Sequence, residues 1–563
     1  MKNTKLYFAL VLALVFSLTL AACGTADKEQ TDNNAAGEGE TTQPAAEQIF
    51  NFYESSDIPT MDTTQAEDGT SFNAMNQVFE GLYSFSNEGG VELGMAAEEP
   101  TIEEKEGEFV YTFKIRDNAN WSDGSPVKAE DFVYAWQKAL NPDTLSPYAF
   151  IFDIAAIKNA AEIQNADSEL YGKVEELGAK AIDDKTLEVT VTKNIPYFAD
   201  LMAFSTFLPQ PKAFAEEKAD KYALEADTML YNGPFKMTEW NHGAGWVFKK
   251  NENYWNADVV TLETANFKVI KESSAALNLY KTGEIDRVGL SADDVEIHKE
   301  EPEFGVKLGT TSYFFRMNQQ NPALANNDIR KALFYAYDRK ALVDILINNG
   351  SIASRFWVPQ DFVFGPDGKD FREVAPDGYL ENNNVEKALE HWNKGLAALG
   401  TDTIELEFLT TDNDFAVKLA EYAQAQYQEK LPGIQITINK QPWKQFLEIQ
   451  GAMDYDLATG GWGPDYPDPM TFMDLFITDS ANNEMAYSNP KFDELILGAY
   501  EEQDAAKRWA MLQEAERILI EEDTAIIPTY QKGASFLMKE YVQGYTTHSF
   551  GPDYSLKFIT IEK

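Results

Sequence analysis

Cysteine and histidine are almost absent from this chain, with one and four copies in 563 residues. Basic residues are scarce beside acidic ones: 47 Lys and Arg stand against 92 Asp and Glu, for a formal net charge of −45. A single thiol can neither close an intramolecular disulfide nor build a cysteine zinc site, so folding must rest on core burial. His242, His298, His391 and His548 stand far apart with no paired spacing, which gives no histidine metal motif. The sequence has no GxSxG elbow, no HExxH pair and no phosphate loop, and it reads as non-catalytic and cofactor-free. The shortage of positive charge removes the basic footprint that phosphate contacts require and argues against nucleic acid as a partner. No apolar run reaches the roughly 20 residues of a membrane-spanning helix.

The N-terminus carries a different signal. Lys2 and Lys5 precede an unbroken apolar run from Leu6 to Phe16, and Ser17, Thr19, Ala21 and Ala22 come next as small residues. This is the pattern of an export signal over residues 1–22. The one cysteine, Cys23, closes the run LAAC and precedes Gly24, which resembles the bacterial lipobox. In that motif the thiol is acylated and becomes the mature N-terminus, so the resemblance implies a lipoprotein anchored to the outer face of the cell membrane. Residues 23–47 are small and polar, with almost no large apolar side chain before Ile49, and read as a flexible tether. The remaining stretch, to Lys563, is too long for one ordinary core and implies two or three domains or lobes.

Two periods alternate within that folded region. Phe109, Tyr111, Phe113 and Ile115 alternate with polar residues, as do Leu187, Val189 and Val191, which predicts half-buried strands. Between them Phe132, Val133, Trp136, Ala139 and Leu140 fall at helical spacing behind Glu130 and Asp131, and Asn141-Pro142 ends the helix. Farther on, Ile404, Leu406 and Phe408 form one strand pattern and Ile434, Ile436 and Ile438 another, with a helix from about Asp414 to Lys430 between them. Such a unit implies parallel neighbours with a right-handed crossover. Residues 327–349 and 489–522 read as helical, and 525–530 and 556–561 as strands.

The run Phe113–Trp136, FKIRDNANWSDGSPVKAEDFVYAW, resembles the signature segment of the family 5 extracellular solute-binding proteins. Further blocks agree in order: VFEGLYSF at Val78, SPYAF at Ser146, AIDDKTLEVTV at Ala181, KTGEIDR at Lys281, NDIRKALFYAYDRKALV at Asn327 and GGWGPDYPDP at Gly460. They look most like the oligopeptide-binding branch. The resemblance implies an α/β, two-lobed periplasmic-binding-protein-like fold of the class II type, with mixed sheets, an extra domain in the first lobe and hinge closure. By the same analogy domain I takes 48–79, 212–281 and 532–563, domain II takes 80–211, and domain III takes 282–531. The implied partners are an oligopeptide and the permease subunits of an ABC transporter, with the binding protein itself a monomer.

The resemblance also implies site residues. Asp465 matches the carboxylate that pairs with a peptide's α-amino group, a charge-assisted bond of the strong kind. Gly460, Gly461 and Gly463 would leave backbone groups open to strand-like pairing with a peptide main chain, which ignores side-chain identity. Trp462 and Trp443 match tryptophans that wall side-chain pockets; Tyr148, Tyr280 and Tyr530 match or neighbour ligand-facing positions. Glu67 and Gly69 match a segment that pairs with the ligand backbone, while Asp468 reads as a turn residue before Pro469. Basic residues that neutralise peptide carboxylates in enteric relatives are replaced by Phe334, Ala416, Gln450 and Thr459, none of them basic. The same fold carrying a sugar or nickel, or serving surface signalling or adhesion, are the alternative readings.

Overall fold

The structure, a computed structural model, describes residues 47–563. The export signal, Cys23 and nearly all of the tether lie outside the described residues. Among the described residues no helix is long and apolar enough to cross a membrane.

The chain enters as β1 (Ile49–Glu54) and reaches helix α1 (Gly69–Val78). Asp68 caps α1: its Oδ1 accepts from the amides of Thr70 and Ser71 at 3.0 and 3.1 Å. That satisfies two of the donors a helix start leaves orphaned. Next come β2 (Thr101–Lys105), β3 (Glu108–Lys114), helix α2 (Ala129–Leu140), β4 (Ala179–Asp183) and β5 (Thr186–Val191), the strands forming an antiparallel sheet in the order β2-β3-β5-β4. Tyr111 pairs with Val189 and Phe113 with Leu187, so both strands bury the same face. The signature run builds this region's core. Trp121 and Trp136 are fully buried, and Asp131 accepts from the Trp121 indole at 3.1 Å and from the amides of Lys128 and Lys212 at 2.9 and 3.1 Å.

The chain then returns to β1. Strands β6 (Phe235–Asn241), β7 (Gly245–Lys250) and β8 (Thr264–Val269) complete the sheet β1-β8-β7-β6, with β8 parallel to β1. At Gly245 (φ +146°) a Cβ would lie 2.0 Å from the Phe267 carbonyl oxygen, so no other residue fits between these strands.

After helix α3 (Ser273–Thr282) the second lobe is built on a larger sheet. Its main elements are β9 (Arg287–Gly289), β10 (Phe304–Met317), helix α4 (Asn327–Ala336), β11 (Ile404–Thr411), helix α5 (Asp414–Lys430), β12 (Ile434–Gln441), helix α6 (Trp443–Gly451), β13 (Leu457–Trp462), helices α7 (Pro490–Glu501) and α8 (Ala505–Arg517), and β14 (Ile526–Met538). The strand order is β9-β14-β10-β13-β11-β12. As the periodicity implies, β11 and β12 are parallel through α5, with Ile404 opposite Ile434.

One expectation needs correction. Residues 556–561 are not a strand; only Tyr554–Ser555 and Thr560–Ile561 pair. The Leu556 amide donates instead to the Gln77 side chain at 2.8 Å, and Ile559 turns back on Leu556. Leu556, Ile559 and Ile561 are all buried, so the apolar pattern was real, but a turn meets it rather than a ladder. This tail packs on the first lobe, where Gln48 exchanges two hydrogen bonds with the Ile561 backbone at 2.9 and 3.0 Å.

Candidate functional site

Strand β13 pairs with β10 and ends at Trp462, and the chain turns at once through Gly463 and Pro464 to Asp465. The glycines of this stretch make room for protein rings. A Cβ on Gly461 would lie 2.8 Å from the Tyr313 ring and one on Gly460 2.7 Å from Phe314, whereas at Gly463 the nearest atom is the Thr311 hydroxyl at 3.4 Å. Tyr530, on β14, stacks on Tyr313 with centroids 4.7 Å apart, so Tyr530, Tyr313 and Gly461 form one row across three strands.

Asp465 is 5 % exposed, and its only side-chain partner among the described residues is the Tyr148 hydroxyl, which donates to Oδ1 at 3.5 Å. No Lys, Arg or His among the described residues forms an ion pair with it. Burial, and after it the charge of Asp474, push its carboxyl well above the usual carboxylate range, while the Tyr148 hydroxyl pulls the other way. The Asp465 amide is held by the Thr471 hydroxyl at 3.0 Å.

Tyr148 comes from the first lobe and meets this loop from the far side. Its ring lies parallel to Trp462 at 6.5 Å, stacks on Phe204 at 5.4 Å and takes Phe72 edge-on at 5.4 Å. Beside it Tyr197 stacks on Tyr466 at 4.6 Å, and Lys193 pairs with Glu501 and reaches the Tyr500 carbonyl. The lobes therefore touch along a seam. Behind the seam Asp474 accepts from the hydroxyls of Tyr466 and Tyr500 at 3.0 and 3.1 Å. Burial pushes its carboxyl up to about 7 against the pull of those two hydroxyls.

Asp468 is the turn residue its sequence suggests, accepting from the Met470 amide at 2.9 Å. It also grips Arg508 through two bonds of 2.7 and 2.8 Å, which ties the loop to α8.

Glu67 and Gly69 flank the Asp68 cap at the start of α1. Glu67 reaches solvent, yet burial and then the charges of Glu484 and Asp68 push its carboxyl up to about 7. Open space lies where a Gly69 side chain would be. Trp443 begins α6, stacks on Phe446 at 5.4 Å and lies beside Asp68. Tyr148, Trp462, Asp465, Glu67 and Trp443 are thus gathered along the seam. Tyr280 is not. It packs in a separate cluster with Ala276, Leu277, Ile285 and Val288, donates to Glu303 at 2.6 Å and carries Lys539 over its ring at 3.8 Å.

The four positions without basic residues supply no charge in the fold either. Phe334 is core under Arg339, Gln450 donates to Glu484 at 2.6 Å, Ala416 sits in the first turn of α5, and Thr459 faces Phe315 in the sheet. Sequence reasoning missed Asp68, Glu484, Tyr197, Tyr466 and Asp474. Only Tyr466 lies inside one of the family blocks; in so acidic a chain nothing marks the carboxylates individually.

Rings of both lobes around a buried carboxylate with no cation of its own, in a seam between two sheet-based lobes, define a two-lobed solute-binding protein. The chain belongs to the bacterial extracellular solute-binding proteins, family 5, whose model of the middle region matches residues 91–484. It is 30 % identical over 564 residues to the oligopeptide-binding protein OppA of Bacillus subtilis (strain 168), covering 98 % of each chain. It superposes on the substrate-binding domain of an oligopeptide ABC transporter from Bacillus anthracis with a TM-score of 0.88 and 39 % identity, over 92 % of this chain and 99 % of the other. Listeria monocytogenes OppA bound to peptide gives a TM-score of 0.86 at 38 % identity, over 92 % and 100 %.

Proposed function

We propose that this protein captures oligopeptides outside the cell and hands them to the permease subunits of an ABC transporter. Buried charges are normally paired, because an isolated carboxylate in a desolvated site costs several kcal/mol. Asp465 carries the reading: it is buried at the seam with only a hydroxyl for partner among the described residues. A peptide's terminal ammonium is the cation that would complete it. Tyr148 and Trp462 would then close over the first residues, and Gly463, the most open of the loop glycines, would let a peptide main chain approach. The bound groups are a solute's, so no reaction and no cofactor is assigned.

Attachment is through acylated Cys23, with 23–47 as the tether, on the outer face of the cell membrane, and the working unit is a monomer. We divide the folded region as 48–79, 212–281 and 532–563 for domain I, 80–211 for domain II, and 282–531 for domain III. The pairing of β1 with β8 and the bonds of the tail to Gln48 and Gln77 support the first grouping. The boundary near 531 falls inside β14, which makes that strand a connector between lobes.

Mass spectrometry of ligand released by mild unfolding of the purified chain tests the reading. Peptides of a few residues with free N-termini are expected. A sugar, or nickel, as the released solute would overturn it.

A further inference from the structure

The segment from Asp465 to Asp474 folds back on itself. The Asp465 amide donates to the Thr471 hydroxyl at 3.0 Å, and the Tyr466 hydroxyl donates to Asp474 Oδ2 at 3.0 Å. A second hydroxyl, that of Tyr500 on α7, reaches the same oxygen at 3.1 Å. Asp465 and Asp474 are both buried, at 5 and 6 % exposure, and neither forms an ion pair with a Lys, Arg or His among the described residues. Arg508, on α8, is spent on Asp468 through two bonds of 2.7 and 2.8 Å.

The two tyrosines that meet on Asp474 are also the ones the first lobe touches. Tyr197 stacks on Tyr466 with centroids 4.6 Å apart, and Lys193 reaches the Tyr500 carbonyl at 3.4 Å while pairing with Glu501. Asp153 of the first lobe also faces Tyr500. Burial holds the hydroxyls of Tyr148, Tyr197, Tyr466 and Tyr500 above the usual phenol range, so at neutral pH each is a proton donor and none supplies charge. The region thus holds two buried carboxylates, donors to both, and no free cation. Charge on one such carboxylate opposes charge on its neighbour, so the two titrate as a pair. Burial pushes Asp474 up to about 7, and its charge in turn raises Asp465.

We propose that Asp474 is a positioning residue that acts through Asp465: with Tyr466 and Tyr500 it forms a proton store behind the amine site, and capture of a peptide's ammonium expels a proton from the pair to solvent. The inference rests on the peptide reading and adds a proton to its balance. An ammonium at Asp465 favours the ionised pair, so the pair holds its proton more weakly when filled than when empty. Affinity is therefore full above the empty pair's range and is lost as pH falls through it.

The test measures the affinity of tetra-alanine with a free N-terminus from about pH 7.5 down to about pH 5, where the wild-type chain is expected to lose at least about tenfold. Asp474→Asn keeps an acceptor for both hydroxyls but removes the neighbouring charge, and the fall should begin at least about one pH unit lower. Tyr500→Phe takes away a donor that favours the ionised form, and the fall should begin at higher pH. Titration calorimetry at neutral pH, in two buffers of different ionisation enthalpy, should show proton release from wild type and less from Asp474→Asn. Thermal melts check that both variants are folded, and a role in packing alone would not move the two profiles in opposite directions. A wild-type affinity that is flat with pH, or variant profiles that coincide with wild type or shift together, would overturn the proton store while leaving peptide binding intact. If the peptide binds at no pH, the peptide reading fails and the proton store with it.

Discussion

Asp465→Ala is expected to weaken peptides with a free N-terminus about 100-fold or more, roughly 3 kcal/mol, the range for removing one partner of a buried charge pair. The same peptides N-acetylated should lose less than about threefold, because an acetyl group carries no charge for Asp465 to meet. The contrast follows from the loop's construction. Asp465 is buried with its carboxylate against the Tyr148 hydroxyl and its backbone amide bonded to Thr471, so the carboxylate meets the seam rather than bulk water. Paired calorimetric titrations with free and acetylated peptides give the two ratios directly. Equal losses for both would mean that Asp465 shapes the loop without meeting the amine, and the orientation assigned to the peptide would be wrong.

Glu516→Ala is expected to cost about 3–5 kcal/mol of stability, the range for breaking a buried ion pair from one side. Glu516 is fully buried on α8, at 0 % exposure. Its Oε1 accepts the amides of Trp357 and Val358 at 2.9 and 2.8 Å, and its Oε2 takes the Tyr379 hydroxyl at 2.9 Å together with the Arg372 guanidinium. Truncation leaves a buried cation and two backbone donors without partners at once. The seam pair Lys193–Glu501 has Glu501 largely in solvent, and Glu501→Ala should cost less than about 1 kcal/mol. Urea melts of the two variants check the contrast, and similar midpoints would refute it. The large effect therefore falls on a buried ion pair inside the second lobe and not on the pair at the seam.

That separation explains how differently fold and site could be read in the sequence. The signature segment Phe113–Trp136 is the most specific motif in the chain, and its residues form a core: Asp131 holds the Trp121 indole and the backbone of Lys212, while the buried Trp136 indole donates to the Phe207 carbonyl. Periodicity located α2 and the β11-α5-β12 unit because each buries one face and leaves the other wet, which is the condition that writes a period into sequence. It failed over 556–561, where burial without a strand ladder mimics alternation. Parallel pairing of β1 with β8 has no local signature and was not read in the sequence; the family resemblance implied only that 48–79 and 212–281 share a domain.

The site divides in the same way. Asp465 and Trp462 sit in one loop whose motif is distinctive, and the fold brings Tyr148, already named from the family blocks, to within 3.5 Å of Asp465 from the other lobe. Asp68, Glu484 and Asp474 could not be singled out among 92 acidic residues, because what distinguishes them is burial and the company of Trp443, Gln450 and Tyr466. Tyr280 illustrates the opposite case. A tyrosine beside a family block is as well suited to packing over α3 as to facing a ligand, and Glu303 and Lys539 occupy its hydroxyl and ring.

The central claim is that the seam completes itself with a peptide. It is tested most directly by a thermal titration of the mature chain, unfolded and refolded to strip any bound ligand, against short peptides, sugars and nickel in parallel. A ligand at about 100 times its dissociation constant stabilises the native state by roughly 2.7 kcal/mol, so the melting temperature should rise with free-amine peptides and stay flat with the other two. A rise with sugar or nickel and none with a mixed peptide pool would contradict the account.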